Sequence, residues 1–242
     1  MQEQKQPCVW FVGAGPGNPD LITVKGRKLL DSADVLIYAG SLVNPELVAL
    51  SAAPVKIDSW GMNLGEIVAA MEVHANAGKP VVRLHSGDPS LFGAIVEQIA
   101  ELKKRGIAVE IVPGVSSLFA AAAALQIELV LSGITDAVII TRPAGRTLEK
   151  DHIPELSGLG ATLAVFLGTD RLDEVTKKLT CPPETPAAVV YHASWEDQKV
   201  IRGTVADIAQ KARDAGIKRT ALLIVGHVIE PKDQYRRSHL YS

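Results

Sequence analysis

Cysteine is almost missing from this chain: Cys8 and Cys181 stand alone, far apart and in no CxxC or Cys/His spacing. That excludes a disulfide framework and a zinc site, and it fits the reduced cytosol. No charge of one sign dominates either. The formal net charge is −2 with acidic and basic residues interspersed, so no field draws the chain onto nucleic acid or anionic lipid, and neither is an expected partner. The short cluster Lys232, Arg236, Arg237 reads as a solvated tail. Long apolar runs are absent: stretches such as residues 118–125 fall far short of a bilayer, and residues 1–7 are polar where a signal peptide would be apolar. The expectation is a soluble, cytoplasmic protein. There is no GxSxG, HExxH or GxxxxGKS/T, and the six histidines are scattered without ligand spacing. Hydrolase, metalloprotease and P-loop chemistry lose support, and no metal centre is expected.

What is present is an ordinary globular composition, 47% hydrophobic and 21% charged over 242 residues, enough for one large core or two smaller ones. Short β-rich runs at 8–12, 35–38, 55–57, 80–84 and 109–112 alternate with helical patterns at 19–32, 64–77, 91–104 and 115–125. Gly78 and Gly106 follow two of these helices as stop signals. Such alternation implies parallel strands with helices on the sheet faces, because each parallel return needs a long crossover. After about Gln126 the pattern changes. Strands are expected at 137–141, 161–167, 187–191, 199–203 and 220–225 with fewer helices between them, and the third and fourth read as an antiparallel hairpin across 193–198. The expectation is an α/β protein of two domains, 1–128 with a mostly parallel sheet and 129–242 with a mixed one.

Glycines gather where strands end, the place where open α/β sheets bind ligands. The first such loop is Gly13-Ala14-Gly15-Pro16-Gly17-Asn18-Pro19-Asp20. As a dinucleotide fingerprint it fails: Asn18 replaces the third glycine, Pro16 removes an amide donor, and the second strand ends in Tyr38-Ala39-Gly40 without the ribose-binding acid. A tight strand-to-helix turn explains it equally, and is compatible with a ligand lying over it. The second loop, residues 83–93, holds His85-Ser86-Gly87-Asp88-Pro89-Ser90-Leu91. Here Asp88 is either an acceptor for an amino group or ribose hydroxyl or, like Ser90, a helix cap beside a proline. The third, Pro113-Gly114-Val115-Ser116-Ser117, offers two hydroxyls that on their own read as capping residues. His85 is the best-placed titratable group, although a lone histidine at a strand end is more often structural.

Taken together, in this order and spacing, the three loops resemble those of the tetrapyrrole methylases, whose first domain carries a GxGPGxxxLxT opening, a GDP loop and a PG(V/I)(S/T) loop. Leu21-Ile22-Thr23 completes the opening, and the resemblance continues through residues 162–168, 188–195 and 219–226, covering residues 8 to about 230. It implies two α/β domains with S-adenosylmethionine folded between them, a tetrapyrrole in a trough beneath the first loop, and a homodimer. Carried over residue by residue, donor contacts fall on Pro16, Ser86, Gly87, Asp88, Leu91, Ser116, Ser117, Leu167, Ala193, Thr220 and Ala221. Uroporphyrinogen methylases carry an acid after the second strand and a basic residue after the third; both are absent from residues 38–43 and 57–62 here. The stretches 38–43, 85–93, 191–195 and 219–226 look instead like the precorrin-4 C11-methyltransferases, and residues 9–17, 113–117 and 140–147 lean toward the cobalt-precorrin-4 group of the anaerobic route.

The reaction implied is transfer of a methyl group to a ring carbon that is itself the nucleophile, with proximity lowering the barrier by roughly 7–11 kcal/mol. Asp58 and His85 are the candidates for positioning or proton movement. Three rival readings stand beside this one: a nicotinamide-dependent oxidoreductase, motivated by the first loop; a non-catalytic tetrapyrrole carrier; and a diphthamide or ribosomal RNA methylase, since fold alone does not choose the acceptor.

Overall fold

The computed structural model describes residues 8–40, 42–232 and 235–236. Residues 1–7, Ser41 and Arg237 lie outside the described residues; Lys232 and Arg236 are exposed. The chain divides into two compact units, one ending at Ser117 and one beginning at Leu118.

In the first unit β1 (Cys8–Gly13), β2 (Val35–Tyr38), β3 (Val55–Asp58), β4 (Val81–His85) and β5 (Ala108–Val112) form one sheet. Its order is β3-β2-β4-β1-β5 and every neighbouring pair is parallel. Parallel returns require crossovers, and these carry α1 (Val24–Asp31), α2 (Pro45–Leu50), α3 (Leu64–Asn76) and α4 (Ile95–Lys104). Side chains alternate across the sheet. Val9 and Phe11 of β1 join a core with Ile67, Met71 and Leu102 of α3 and α4, while Trp10 and Val12 join Leu30 and Leu47 of α1 and α2. Leu30 and Leu47 are fully buried, each burial contributing roughly 1.5–3 kcal/mol.

Local chemistry sets the helix ends. Asn63 and Glu66 form a reciprocal capping box on α3, and Gly78 and Gly106 follow α3 and α4 with φ of 71° and 72°, as stop signals require. The pattern over 19–32 resolves into a short 3-10 turn, Pro19–Leu21, and then α1, because Asn18 caps the turn and Thr23 starts a second helix. The helix expected from residue 91 begins only at Ile95. Phe92 and Ala94 sit at φ of 54° and 47°, left-handed conformations that no α-helix contains.

The second unit contains α5 (Ser117–Leu125) from its second residue onward, β6 (Val138–Thr141), α6 (Ile153–Ser157), β7 (Thr162–Val165), α7 (Leu172–Lys178), β8 (Pro186–Tyr191), β9 (Lys199–Thr204), α8 (Ile208–Asp214) and β10 (Ala221–Val225). Its sheet runs β6-β7-β10-β8-β9; β6 and β7 are parallel and the remaining pairs antiparallel. This is the mixed sheet with a β8–β9 hairpin that the sequence implies. One face packs on α6, α7 and α8 and the other on α5. The division at 117/118 lies one helix ahead of the boundary suggested by the sequence, since Leu118, Ala121 and Leu125 are buried with Ala188 and Ile224 of the second sheet. Arg202 fastens the end of α5, its Nη2 donating to the Leu125 carbonyl at 2.6 Å and its Nη1 to that of Ile229 at 3.2 Å.

Candidate functional site

Strands β4, β1 and β5 are adjacent and parallel, so the loops that follow them leave the first sheet side by side. Their backbones interlock. Gly15 and Gly87 exchange hydrogen bonds, Gly15 N to Gly87 O at 3.2 Å and Gly87 N to Gly15 O at 2.8 Å. A Cβ on Gly13 would lie 2.4 Å from Gly114 Cα, and one on Gly114 would lie 2.2 Å from Gly87 O. Only glycine permits such an approach. The Thr23 hydroxyl ties the first loop to the third through Pro113 O at 3.4 Å.

Asp88 holds this assembly. Its Oδ2 accepts from Gly114 N at 2.8 Å, and its Oδ1 accepts from Ser90 N at 2.8 Å and from the Ser90 hydroxyl. Burial opposes ionisation of this carboxyl, but those bonds outweigh it and hold its pKa below the usual range. A carboxylate offers about four acceptor positions, so Oδ2 keeps capacity for a ligand donor. Ser90 thus closes a turn with Asp88 rather than capping α4, whose first residue has no side-chain cap. Ser86 is exposed, Leu91, Pro16 and Ser117 are half-buried, and Ser116 is buried. All five lie with Asp88 in or beside the three loops.

Asp58 and His85 are not brought together. Asp58 ends β3, where its Oδ1 accepts from Gly40 N and Trp60 N, both at 2.9 Å; a Cβ on Gly40 would strike its Oδ2 at 2.1 Å. Its carboxylate organises the exits of β2 and β3. His85 is buried and stacked on Phe11 at 5.6 Å, and its Nε2 has no hydrogen-bond partner. Desolvation, reinforced by Arg83, pushes its pKa down to about 3, so the ring is neutral at physiological pH. Arg83, which sequence reasoning passed over, donates to Ser59 Oγ at 3.0 Å and Gln98 Oε1 at 3.3 Å, and burial lowers its pKa to about 10 against the pull of Asp58.

The His85 shift has a measurable consequence. Its folded pKa of about 3 lies below the ordinary 6.5, so between those values the unfolded chain binds a proton that the folded chain refuses. Stability from this residue is fully present above pH 6.5 and declines as pH falls toward 3, by at most about 1.4 kcal/mol per pH unit. His85→Phe keeps a flat ring against Phe11 and removes the proton. Its melting temperature should therefore fall less than that of the unsubstituted protein between pH 7 and pH 5; equal declines would show that His85 does not resist protonation.

In the second unit the remaining candidates share one end of the sheet. Leu167 follows β7, Ala193 follows β8, and Thr220 and Ala221 open the antiparallel β10. His192 N donates to Thr220 O at 3.2 Å, and the Thr169 hydroxyl bridges the Ala221 backbone, donating to its O at 2.8 Å and accepting from its N at 3.1 Å. Leu167, His192, Ser194 and Thr220 all have positive φ, at 54°, 46°, 71° and 56°. Such conformations cost about 1–3 kcal/mol each and concentrate at ligand sites. Thr169, His192 and Ser194 escaped sequence reasoning: the Thr169 bond to Ala221 joins distant segments, and the left-handed backbone of His192 and Ser194 has no signature in residue type.

The sheet order speaks against a dinucleotide fold. There the first strand lies beside the second, whereas here β4 separates β1 from β2.

Fold and loops together define a known class: residues 8–209 match the family model of the tetrapyrrole (corrin/porphyrin) methylases, and the chain belongs to that family. Among its relatives, the cobalt-precorrin-4 C(11)-methyltransferase of Methanocaldococcus jannaschii is 55% identical over 97% of this chain and 92% of the relative. The precorrin-4 C(11)-methyltransferase of a Sinorhizobium species is 44% identical over 97% of this chain and 94% of its own length. Among solved structures, a cobalamin biosynthetic enzyme, cobalt precorrin-4 methyltransferase, superposes with a TM-score of 0.89 at 43% identity, covering 93% of this chain and 96% of that one. The uroporphyrin-III C-methyltransferase of Thermus thermophilus, solved with S-adenosyl homocysteine, gives 0.81 at 30% identity, covering 92% of this chain and 99% of that one.

Proposed function

We propose that this protein is an S-adenosylmethionine-dependent methyltransferase acting on carbon 11 of cobalt-precorrin-4. The observation that carries the reading is the fused trio of loops after β4, β1 and β5, organised by an ionised Asp88 that retains an acceptor position, in a chain 55% identical to a cobalt-precorrin-4 C(11)-methyltransferase. The residues fit the donor. Small side chains allow close backbone contact, Asp88 suits a ligand bearing ammonium and hydroxyl donors, and the exposed Leu167, at the same end of the second sheet as the small Ala193, suits an aromatic base.

S-adenosylmethionine supplies the methyl group on a sulfonium centre. The protein's part is to bind and orient. In the first unit Pro16, Ser86, Gly87, Asp88, Leu91, Ser116 and Ser117 are the proposed donor contacts, and in the second Leu167, Ala193, Thr220 and Ala221. Asp58 and His85 hold their loops in place, the first through Gly40 N and Trp60 N and the second as a neutral ring on Phe11. Cobalt enters this reading as part of the substrate, cobalt-precorrin-4, and not as a group held by the protein.

Calorimetric titration tests the class. One S-adenosylhomocysteine should bind per chain and NADH should not; the reverse result would return the oxidoreductase. We further propose a cytoplasmic homodimer, and a mass of 25.8 kDa for the species in solution would refute the dimer.

A further inference from the structure

The turn between β8 and β9 is held more firmly than its position requires. It is short, reaching from His192 to Gln198, and it contains two of the left-handed non-glycine residues, His192 and Ser194, on either side of the buried Ala193. Positive φ is uncommon for residues with a Cβ, although histidine adopts it more readily than serine. Three sets of contacts maintain it. The His192 ring lies between two aromatic rings, 3.8 Å from Tyr191 with 15° between planes and 4.9 Å from Trp195 with 27°. Its Nδ1 meets both carboxylate oxygens of Asp197, at 2.8 and 3.1 Å. That hydrogen bond holds the Asp197 pKa down, so the carboxylate is ionised and Nδ1–H is the donor. The Gln198 side chain closes the turn by accepting from Ser194 N at 2.7 Å, and Trp195 N donates to His192 O at 2.9 Å.

A plain hairpin needs none of this. Glycine or asparagine supplies positive φ without support, whereas this turn spends an imidazole, a carboxylate and two aromatic rings on one conformation. The turn also reaches its neighbour on the sheet: His192 N donates to Thr220 O, and Thr220 is itself left-handed. What the clasp fixes is therefore the backbone on both sides of Ala193 and its link to Thr220.

We propose that His192, clasped by Asp197 and sandwiched by Tyr191 and Trp195, is a positioning residue for the methyl donor, setting the backbone of Ala193 and Thr220 against it. The inference rests on the donor-binding reading given above. His192 acts through the turn; it does not touch the reacting atoms. Loss of the clasp should weaken donor binding and leave transfer from the fully loaded enzyme nearly unchanged.

The experiment compares the unsubstituted protein with His192→Ala, His192→Asn and Asp197→Ala, measuring S-adenosylhomocysteine affinity by calorimetry, KM and kcat for the donor, and melting temperature. His192→Ala and Asp197→Ala should raise the dissociation constant and KM about tenfold, the loss of one charge-assisted hydrogen bond, with kcat within about twofold. His192→Asn, which tolerates positive φ and keeps a donor for Asp197, should recover part of the affinity. Trp195 gives a direct signal: with Trp10 and Trp60 replaced by Phe, its emission should change on titration and saturate at the calorimetric constant. Affinity unchanged in His192→Ala, a Trp195 signal indifferent to the ligand, or kcat and KM degrading together in step with melting temperature would each overturn the proposal. Failure of the unsubstituted protein to bind S-adenosylhomocysteine is a different result, one that removes the methyltransferase reading itself.

Discussion

Replacing Asp88 with Ala should lower S-adenosylhomocysteine affinity by about a hundredfold. The carboxylate accepts from Gly114 N, Ser90 N and the Ser90 hydroxyl, and through Gly114 it hydrogen-bonds the second loop to the third. Removing it leaves the Gly114 amide without its acceptor and frees the Gly-Asp-Pro turn. A hydrogen bond to a charged group is worth roughly 1.5–3 kcal/mol, and each 1.4 kcal/mol is tenfold in binding. One lost ligand contact together with disordering of the turn gives the stated figure. Asp88→Asn should be nearly as damaging. Its carbonyl can still receive Ser90 N, but its amide group would then face the Gly114 N–H, donor against donor. Affinity within threefold of the unsubstituted protein in both variants would remove this loop from the donor site.

Gly114→Ala should cost at least about 3 kcal/mol of stability, the upper range for forced overpacking. The new methyl would lie 2.2 Å from Gly87 O and 2.7 Å from Gly13 Cα. Both are backbone atoms in loops already bonded to one another, so no side chain can swing aside. With about 2–4 °C lost per kcal/mol in a protein of this size, the melting temperature should fall by roughly 6–12 °C. Gly78→Ala is the control. Gly78 has φ of 71° but nothing within 4 Å of the added carbon, so only the cost of a left-handed alanine applies, about 1–2 kcal/mol. Gly114 has no positive φ, so equal losses in the two variants would mean that the loops yield to the added methyl and are not interlocked at position 114.

Much of this arrangement is legible from residue order. The β2 strand falls at 35–38 as its apolar run indicates, the β8–β9 hairpin follows from two alternating segments around a polar turn, and the three glycine loops lie where strands end. The helices that escaped are short: α2 has six residues, α6 five, and α7 and α8 seven each. Two turns or fewer show too little of a 3.6-residue period to stand out. For α2 a signal existed, since Asn44-Pro45 is a cap followed by a proline at the first helical position. Contacts between distant loops left no trace of that kind. Gly40 and Asp58 are separated in sequence and meet only because β2 and β3 pair in parallel, with Tyr38 opposite Asp58. Whether Asp88 faces a ligand or its own loop likewise depends on Gly114, a residue brought near by the β4-β1-β5 order.

The most direct test supplies purified protein with cobalt-precorrin-4 and a donor carrying a carbon-13 methyl group, then locates the label by carbon NMR. The account predicts one new methyl signal, on carbon 11 of the macrocycle, with one S-adenosylhomocysteine released for each. A label on another ring carbon, on a carboxylate oxygen, or on no product at all would contradict it.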